Sequence, residues 1–356
     1  MTSADDWEER ARQALDPVYY DYFAGGAGDE SALRANRRAF ARRRLLPRVL
    51  RGAEPRDLAV DLPGAPGTCP ILVSPTAFHK LAHPEGELAT ARAAAAAGCV
   101  LTSGMAATVS IADVAAAARG VDPEAAVWFQ LYLQPEPAVT DCLARRAADA
   151  GCTALVVTVD SPVFGRHGRD RRHGFHELPD GLACENMRDL PGGSAGGPRD
   201  IAMSPLLSWD DLDRLRDNTE LPIVVKGILH PGDARLAAEH GAAAVMVSNH
   251  GGRQLDAAPA TLDVLPAVAD ALDRRIPALL DGGVRHGADV AIALATGAAA
   301  VGVGRPVLWG LAADGEKGVR DVLERLRDDL DHTLALCGGR ELADLTADLV
   351  TTGGPS

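Results

Sequence analysis

The chain has 356 residues, 47% of them apolar and 24% charged, which predicts one globular domain over 1–356 rather than a disordered chain. A net charge of −13 argues against nucleic acid and anionic membrane surfaces as main partners. The polar N-terminus, the lack of a long apolar run and six cysteines without metal-ligand spacing predict a cytoplasmic protein with reduced thiols and no metal.

Residues 1–65 form a predicted N-terminal helical extension. They contain the segment "YYDYFAGGAGDE" and the basic stretch "RANRRAFARRRLLPR". Because the chain as a whole is acidic, we expect the arginines of this stretch to pair with acidic side chains on the surface.

Eight short apolar runs follow, and each is succeeded by an Ala- or Leu-rich helical segment. The predicted strands cover residues 71–73, 100–103, 127–132, 155–159, 223–226, 245–248, 278–281 and 300–303. Eight strands that alternate with helices predict an α/β fold, the TIM (β/α)₈ barrel.

Residues 177–207 interrupt this repeat after the fourth strand, and this Gly- and Pro-rich insertion is predicted to be a mobile lid or a disordered loop.

Polar residues and glycines are found where the predicted strands end, which is where (β/α)₈ barrels carry their chemistry. The residues at these ends are Gln130, Tyr132, Thr158, Asp160, Lys226, His250, Asp281, Gly283, Gly304 and Arg305. Chance would scatter such residues along the chain, so the pattern predicts a functional site.

The last two strands end in "LLDGGVRHG" and "AVGVGRPVLWG". Glycines there let backbone N–H groups approach a phosphate, and Arg285 and Arg305 can close on it. Tight turns alone would explain the glycines but not an arginine in both turns.

Four residues suit redox chemistry on an acid. Lys226, predicted to end its strand, is either a member of a buried ion pair or a positive charge aimed at an electron-rich ring. His250 can accept a proton at neutral pH, with Asp160 orienting its imidazole. Arg253, three residues after His250, suits bidentate binding of a carboxylate.

The sequence resembles the FMN-dependent L-2-hydroxy-acid oxidases and dehydrogenases, which include glycolate, lactate and mandelate oxidases. The motifs that carry the resemblance are "SPTAFHKLAHPEGE", "FQLY", "TVDSP", "VVKGIL", "SNHGGRQLD", "LDGGVR" and "GRP", in family order between about residues 20 and 340. The resemblance implies FMN as the cofactor, a small 2-hydroxy acid or an analogue as the substrate, dioxygen or another electron acceptor, and a homo-oligomer, often a tetramer.

The resemblance also implies a role for each site residue. His250 would be the base, Asp160 would stand behind it, and Arg253, Tyr22 and Tyr132 would bind the substrate. FMN would be held by Thr76, Ala77, Gln130, Thr158, Lys226 and Ser248, and its phosphate by Asp281, Gly283, Arg285, Gly304 and Arg305. Whether the substrate electrons leave as a hydride or through a carbanion stays open.

Two departures from the family pattern concern the substrate. His167 stands where the family usually has a second carboxylate-binding arginine; Arg166 and Arg169 lie beside it, out of register. Gly104 replaces a Ser or Thr that usually contacts the flavin, and Ala106 stands where some members have a bulky side chain.

One interpretation of these departures is a wide pocket for a bulky or aryl 2-hydroxy acid. The alternatives are a 2-amino or carrier-bound acid as substrate, or a flavin-binding protein without turnover.

Overall fold

The computed structural model describes residues 4–352, with side chains from residue 6 onward. The helices are α1 (Ala4–Ala14), α2 (Pro17–Ala24), α3 (Ser31–Ala41), α4 (Glu87–Ala96), α5 (Ile111–Arg119), α6 (Pro137–Asp149), α7 (Gly168–His173), α8 (Trp209–Asp217), α9 (Pro231–Glu239), α10 (Thr261–Leu272), α11 (Gly287–Ala295) and α12 (Arg305–Leu336). The strands are β1 (Arg43–Leu45), β2 (Val60–Leu62), β3 (Ala65–Thr68), β4 (Ile71–Val73), β5 (Val100–Gly104), β6 (Val127–Leu131), β7 (Ala154–Thr158), β8 (Ile223–Ile228), β9 (Ala244–Val247), β10 (Ala278–Asp281), β11 (Ala300–Val303) and β12 (Val350–Thr352).

Strands β4 to β11 form a closed barrel in which every neighbouring pair is parallel. The predicted TIM barrel is therefore confirmed, and each predicted strand agrees with an observed one to within two residues. The prediction that Lys226 ends its strand is wrong, because β8 continues to Ile228 past a register shift. At that shift Gly227 has φ +111°, and a Cβ there would lie 2.7 Å from the Asp160 Cβ.

Alternating strand residues divide the core into two layers. Those that point inward, such as Leu72, Trp128 and Met246, fill the barrel, and Leu62 and Ala65 of the β2–β3 hairpin pack against them. Those that point outward pack against the surrounding helices. Because side chains fill the barrel and the hairpin packs beneath them, a ligand site is confined to the opposite end, where the strands finish.

The segments outside the repeat pack onto the barrel at several points. Helix α1 packs against α12, α3 packs against α10, and β1 pairs with β12. Two arginines of the basic stretch, Arg42 and Arg43, both form ion pairs with Asp263, each at 2.8 Å. This agrees with the expectation that the stretch pairs with acidic side chains.

The insertion 177–207 is anchored at its centre. Asn186 is buried there; its side chain accepts a hydrogen bond from the Ile111 N–H (2.7 Å) and donates one to the Gly104 carbonyl (3.2 Å). Arg146 donates to the Asn186 carbonyl at 2.6 Å and to that of Arg188 at 2.9 Å. The mobility of the flanking parts stays a prediction.

Every helix of the described residues is too short or too polar to cross a membrane. Within the same residues, no three His, Cys, Asp or Glu side chains are grouped as metal ligands would be.

A buried carboxylate fixes the loop that follows β4. Glu87, 3% exposed, accepts hydrogen bonds from the His79 N–H (3.1 Å), the Thr108 N–H (2.8 Å) and the Thr108 hydroxyl (2.6 Å). The ring of His79 lies 2.6 Å from the Thr76 hydroxyl, and burial lowers the pKa of His79. The motif "SPTAFHKLAHPEGE" is thus a hydrogen-bonded network that positions Thr76 at the end of the barrel.

We expect the substitution Glu87→Ala to lower the free energy of unfolding by about 3 kcal/mol, because three buried donors lose their acceptor. Glu87→Gln keeps one acceptor oxygen and should cost less. Urea denaturation measures both effects, with Glu124→Ala, a change at an exposed side chain, as the control. Equal stability of the Glu87→Ala and Glu124→Ala proteins would contradict this role.

Candidate active site

A cavity of about 730 Å³ opens at the carboxyl-terminal ends of the barrel strands. Most of the predicted site residues line it: Tyr22, Thr76, Ala77, Gln130, Tyr132, His167, Lys226, His250, Arg253, Asp281, Gly283, Arg285, Gly304 and Arg305. Three predicted residues do not line it, namely Thr158, Asp160 and Ser248, and each of these contacts a residue that does.

His250 and Asp160 form a hydrogen-bonded pair at the cavity. The Nδ1 of His250 lies 2.9 Å from the Oδ1 of Asp160, and Nε2 lies 3.5 Å from the Tyr132 hydroxyl. Burial raises the pKa of Asp160, but the charge and hydrogen bond of His250, with the charge of Lys226, outweigh it and hold that pKa below its usual value. Because a carboxylate only accepts, Nδ1–H donates to it and the Nε2 lone pair of the neutral ring is available to the cavity.

The backbone of the "HGGR" turn is left-handed at three successive residues. His250 has φ +59°, Gly251 +63° and Gly252 +78°. A Cβ on Gly252 would lie 2.5 Å from the backbone nitrogen of Leu33, so only glycine fits there. The turn therefore aims His250 into the cavity while packing closely against α3.

Two arginines bind the backbone carbonyls at the end of α2. Arg253 Nη1 donates to Tyr22 O at 2.8 Å and to Gly25 O at 2.9 Å. Arg305 donates from Nε to Phe23 O (3.0 Å), from Nη1 to Gly251 O (3.0 Å) and from Nη2 to Gly25 O (2.7 Å). Within residues 6–352 the Nε and Nη2 of Arg253 make no hydrogen bond, which leaves this edge for a ligand.

These arginines give the cavity excess positive charge. Burial, together with the nearby charges of Arg253 and Arg285, lowers the pKa of Arg305 to about 9 against the opposing effect of Asp281 and Glu8. Since like charges this close repel one another, an anion bound among them would be strongly favoured.

A second network surrounds Lys226, which is 3% exposed. Its Nζ lies 3.6 Å from Asp281 Oδ2, which also accepts a hydrogen bond from Ser248 at 2.9 Å. Ser74 donates to the other oxygen of Asp281 at 2.9 Å. The lysine is thus a member of a buried ion pair and also faces the cavity. Ser248 is placed behind Asp281 by this network.

His167 lies at the cavity with both ring nitrogens in contact with the protein. Nδ1 is 3.0 Å from the Asp170 carboxylate, and Nε2 is 2.9 Å from the backbone oxygen of Arg253. The adjacent Arg169 is bound to Asp21 and Glu30 at 2.7–2.9 Å, so it does not replace the arginine that the family pattern would place at 167.

The buried polar residue Asn36 was not predicted. Asn36, 2% exposed, exchanges two side-chain hydrogen bonds with Asn249 at 2.8 and 2.9 Å and thereby braces the turn that carries His250. It belongs to the basic stretch whose arginines were expected to pair with acidic side chains on the surface. Asn36 is difficult to recognise in the sequence because arginines surround it. The apolar spacing of Ala32, Ala39 and Phe40 on α3 is the signal that could have indicated a buried face of this helix.

The loops and the insertion give the cavity an apolar wall that is interrupted by His176, Glu177, Arg199 and Asp200. The apolar residues from the loops and the insertion are Phe78, Ala106, Phe164, Leu178, Leu182, Ala183, Pro198, Ile201 and Met203. At Gly104 a Cβ would lie 3.2 Å from the side-chain oxygen of Gln130, so glycine relieves a close approach there.

Residues 11–352 match the family described as FMN-dependent dehydrogenase. The chain belongs to this family. Glycolate oxidase 3 of Arabidopsis thaliana is 43% identical over 99% of the chain and 96% of its own length. L-lactate oxidase of Nostoc sp. is 44% identical over 96% of the chain and 95% of its own length. The predicted family and enzyme class, a flavin oxidoreductase of the 2-hydroxy-acid oxidase group, are confirmed.

A solved structure of mandelate oxidase with (S)-2-phenylpropionate superposes with a TM-score of 0.91. The two proteins are 39% identical, and the match covers all of both chains. The (β/α)₈ fold and the N-terminal extension are therefore common to both.

The residues of the cavity fit FMN, the cofactor of the family. Gly283, Gly302 and Gly304 line it without side chains, and a Cβ on Gly302 would lie 2.4 Å from the Ser74 hydroxyl. Helix α12 begins at Arg305 and presents the backbone N–H of Arg305 beside Gly304, as phosphate sites do. Pro306 has no N–H, and those of Val307 and Leu308 bond to the Gly304 carbonyl. The excess positive charge around Arg305 matches a phosphate group.

Proposed function

We propose that the protein oxidises an L-2-hydroxy acid with a bulky or aryl side chain to the 2-oxo acid. The observation that carries the proposal is one cavity lined by His250, with Asp160 bonded behind it, by the unengaged edge of Arg253 and by an apolar wall. A base, a carboxylate-binding cation and an apolar surface are what recognition and activation of such an acid require.

In this proposal His250 is the base. Its Nε2 accepts the proton of the substrate 2-hydroxyl or of the α-carbon, and Asp160 stabilises the imidazolium that forms. FMN supplies the redox chemistry, because it accepts two electrons from the substrate carbon and passes them to dioxygen or another acceptor.

Arg253, Tyr22 and Tyr132 bind the substrate. The guanidinium edge of Arg253 pairs with the substrate carboxylate. The guanidinium carbon of Arg253 lies 5.1 Å from the ring centroid of Tyr22. Burial raises the pKa of Tyr22 to about 12 and also raises the pKa of Tyr132, so both remain phenols that donate hydrogen bonds at physiological pH.

The same proposal assigns the residues that would hold FMN. Thr76, Ala77, Gln130 and Lys226 would contact the flavin; Thr158 would act by accepting the amide N–H of Gln130 at 3.1 Å, and Ser248 would act through Asp281. Asp281, Gly283, Arg285, Gly304 and Arg305 would surround the phosphate group. The side chain of Arg305 already donates to three backbone carbonyls. Arg305 would therefore contribute its positive charge and its backbone N–H to phosphate binding.

The proposal extends to the whole protein. The chain acts as a single FMN-binding domain, with 177–207 as a lid over the substrate, in a cytoplasmic homo-oligomer such as a tetramer. The six free cysteines are consistent with a reducing compartment.

A second candidate substrate is an acid whose carboxylate is masked, as in a carrier-bound acyl group. The observation that favours it is His167, since both of its ring nitrogens already contact Asp170 and Arg253. The site then offers one carboxylate-binding guanidinium where the family pattern has two.

The function is tested by anaerobic titration of the purified protein while the flavin absorbance is followed. We expect L-mandelate and larger aryl 2-hydroxy acids to bleach the flavin and glycolate to bleach it weakly, because the apolar wall gains no contact from a two-carbon acid. The D-enantiomers are the matched controls. Bleaching by glycolate at the lowest concentrations of the series would contradict the substrate class, and no bleaching by any hydroxy acid would contradict the activity.

We expect the substitution His167→Arg to lower the KM for small substrates such as L-lactate about tenfold, because a charged hydrogen bond to the carboxylate is gained. Steady-state kinetics measure this, with His332→Arg, a change at an exposed residue of α12, as the control. An unchanged KM would show that residue 167 does not contact the substrate carboxylate.

A further inference from the structure

Two cysteines lie side by side at the end of the barrel opposite the cavity. Cys69 precedes β4 and Cys99 precedes β5, the neighbouring strand. The Cys69 N–H donates to the carbonyl of Gly98, the residue before Cys99, at 3.3 Å, and the Thr68 hydroxyl donates to the same carbonyl at 3.0 Å. Residues opposed in this way in adjacent strands are about 5 Å apart, which is within the span of a disulfide.

The two thiols differ in exposure and in acidity. Cys69 is half-buried and Cys99 is buried. The Cys99 thiol donates to the Ala97 carbonyl at 3.7 Å. Contact with the Cys99 thiol, with the Ile71 N–H and the charge of Arg327, lowers the pKa of Cys69 against the opposing effect of burial. The same contact and burial raise the pKa of Cys99 well above its ordinary value. Cys69, the more exposed of the two, is therefore the thiol that meets solvent and an added oxidant first.

The cation beside the pair is held in place by the fold. Arg327 of α12 donates a hydrogen bond to the Ala97 carbonyl, two residues before Cys99, at 3.3 Å. An accessible thiolate, a fixed positive charge and a second thiol in contact are the components of a redox-sensitive cysteine with its resolving partner.

We propose that Cys69 and Cys99 form a two-electron oxidation site that hydrogen peroxide converts to a disulfide. The Cys69 thiolate attacks the peroxide O–O bond, which breaks to give a sulfenic acid at Cys69 and hydroxide. The Cys99 sulfur then attacks the sulfenic sulfur, its proton and the departing hydroxide leave as water, and the S–S bond forms. Overall, two thiols and one peroxide yield one disulfide and two water molecules.

The bond would join the first two strands of the barrel at their amino-terminal ends. The loops at the other ends of β4 and β5 carry Thr76 and Ala106 of the cavity. A covalent link between these strands restricts the unfolded chain, so the oxidised protein should unfold at a higher temperature. Turnover should be unchanged, since the link lies at the far end of the barrel from His250. The cysteine pair is independent of the proposed function, because added peroxide would oxidise it in the absence of any substrate.

The test exposes the reduced holoenzyme, without substrate, to a small excess of hydrogen peroxide, followed by intact mass measurement and non-reduced peptide mapping. We expect the loss of two hydrogen atoms, a peptide pair linked through Cys69 and Cys99, reversal by dithiothreitol and a raised Tm. The Cys99→Ser protein should instead trap a sulfenic acid at Cys69. Cys142→Ser, a change at another partly exposed cysteine, is the control and should form the bond as the unaltered protein does.

Two results would overturn the proposal. One is oxidation of Cys142 or Cys184 while Cys69 and Cys99 remain thiols. The other is oxidation of Cys69 to a sulfinic acid while Cys99 is still reduced, which would show that the second thiol does not resolve the first. Either result is obtained without turnover, so neither bears on the substrate or the base of the proposed function.

Discussion

The structure of the site depends on two partly buried guanidinium groups that bind the carboxyl-terminal end of a short helix. Arg253 and Arg305 both donate to the Gly25 carbonyl, at 2.9 and 2.7 Å, and between them reach the carbonyls of Tyr22 and Phe23. The last carbonyls of a helix lack partners within it and carry partial negative charge, so cations are favoured there. The N-terminal extension is thereby fixed over the barrel, with Tyr22 at the cavity.

This arrangement places cationic side chains close to one another. Carbonyl oxygens satisfy the donors of Arg305, but its pKa stays depressed because of desolvation and because Arg253 and Arg285 lie near it. The family cofactor brings a phosphate and the proposed substrate brings a carboxylate, and both are anions. The same arginines thus anchor the extension and favour the ligands, which links folding of residues 17–25 to binding.

The sequence predicts the barrel and most of the cavity because both have local signals. Continuous apolar runs mark the strands, and polar residues at their ends, such as His250 and Asp281, mark the site. The partners of these residues have no such signal: Asn36 binds Asn249, 213 positions away, and Arg305 binds Gly25, 280 positions away. The role of His167 also escapes prediction, because its contacts with Asp170 and Arg253 O depend on how two loops meet.

The central claim is that His250 removes a proton from the substrate, and the rate of anaerobic flavin reduction in the His250→Gln protein tests it most directly. Stopped-flow mixing with a saturating aryl 2-hydroxy acid gives this rate, with flavin content matched to the unaltered protein. The account predicts reduction about 1000-fold slower, with binding of the 2-oxo product retained, because the amide cannot accept the proton. Reduction within about tenfold of the unaltered rate would contradict it.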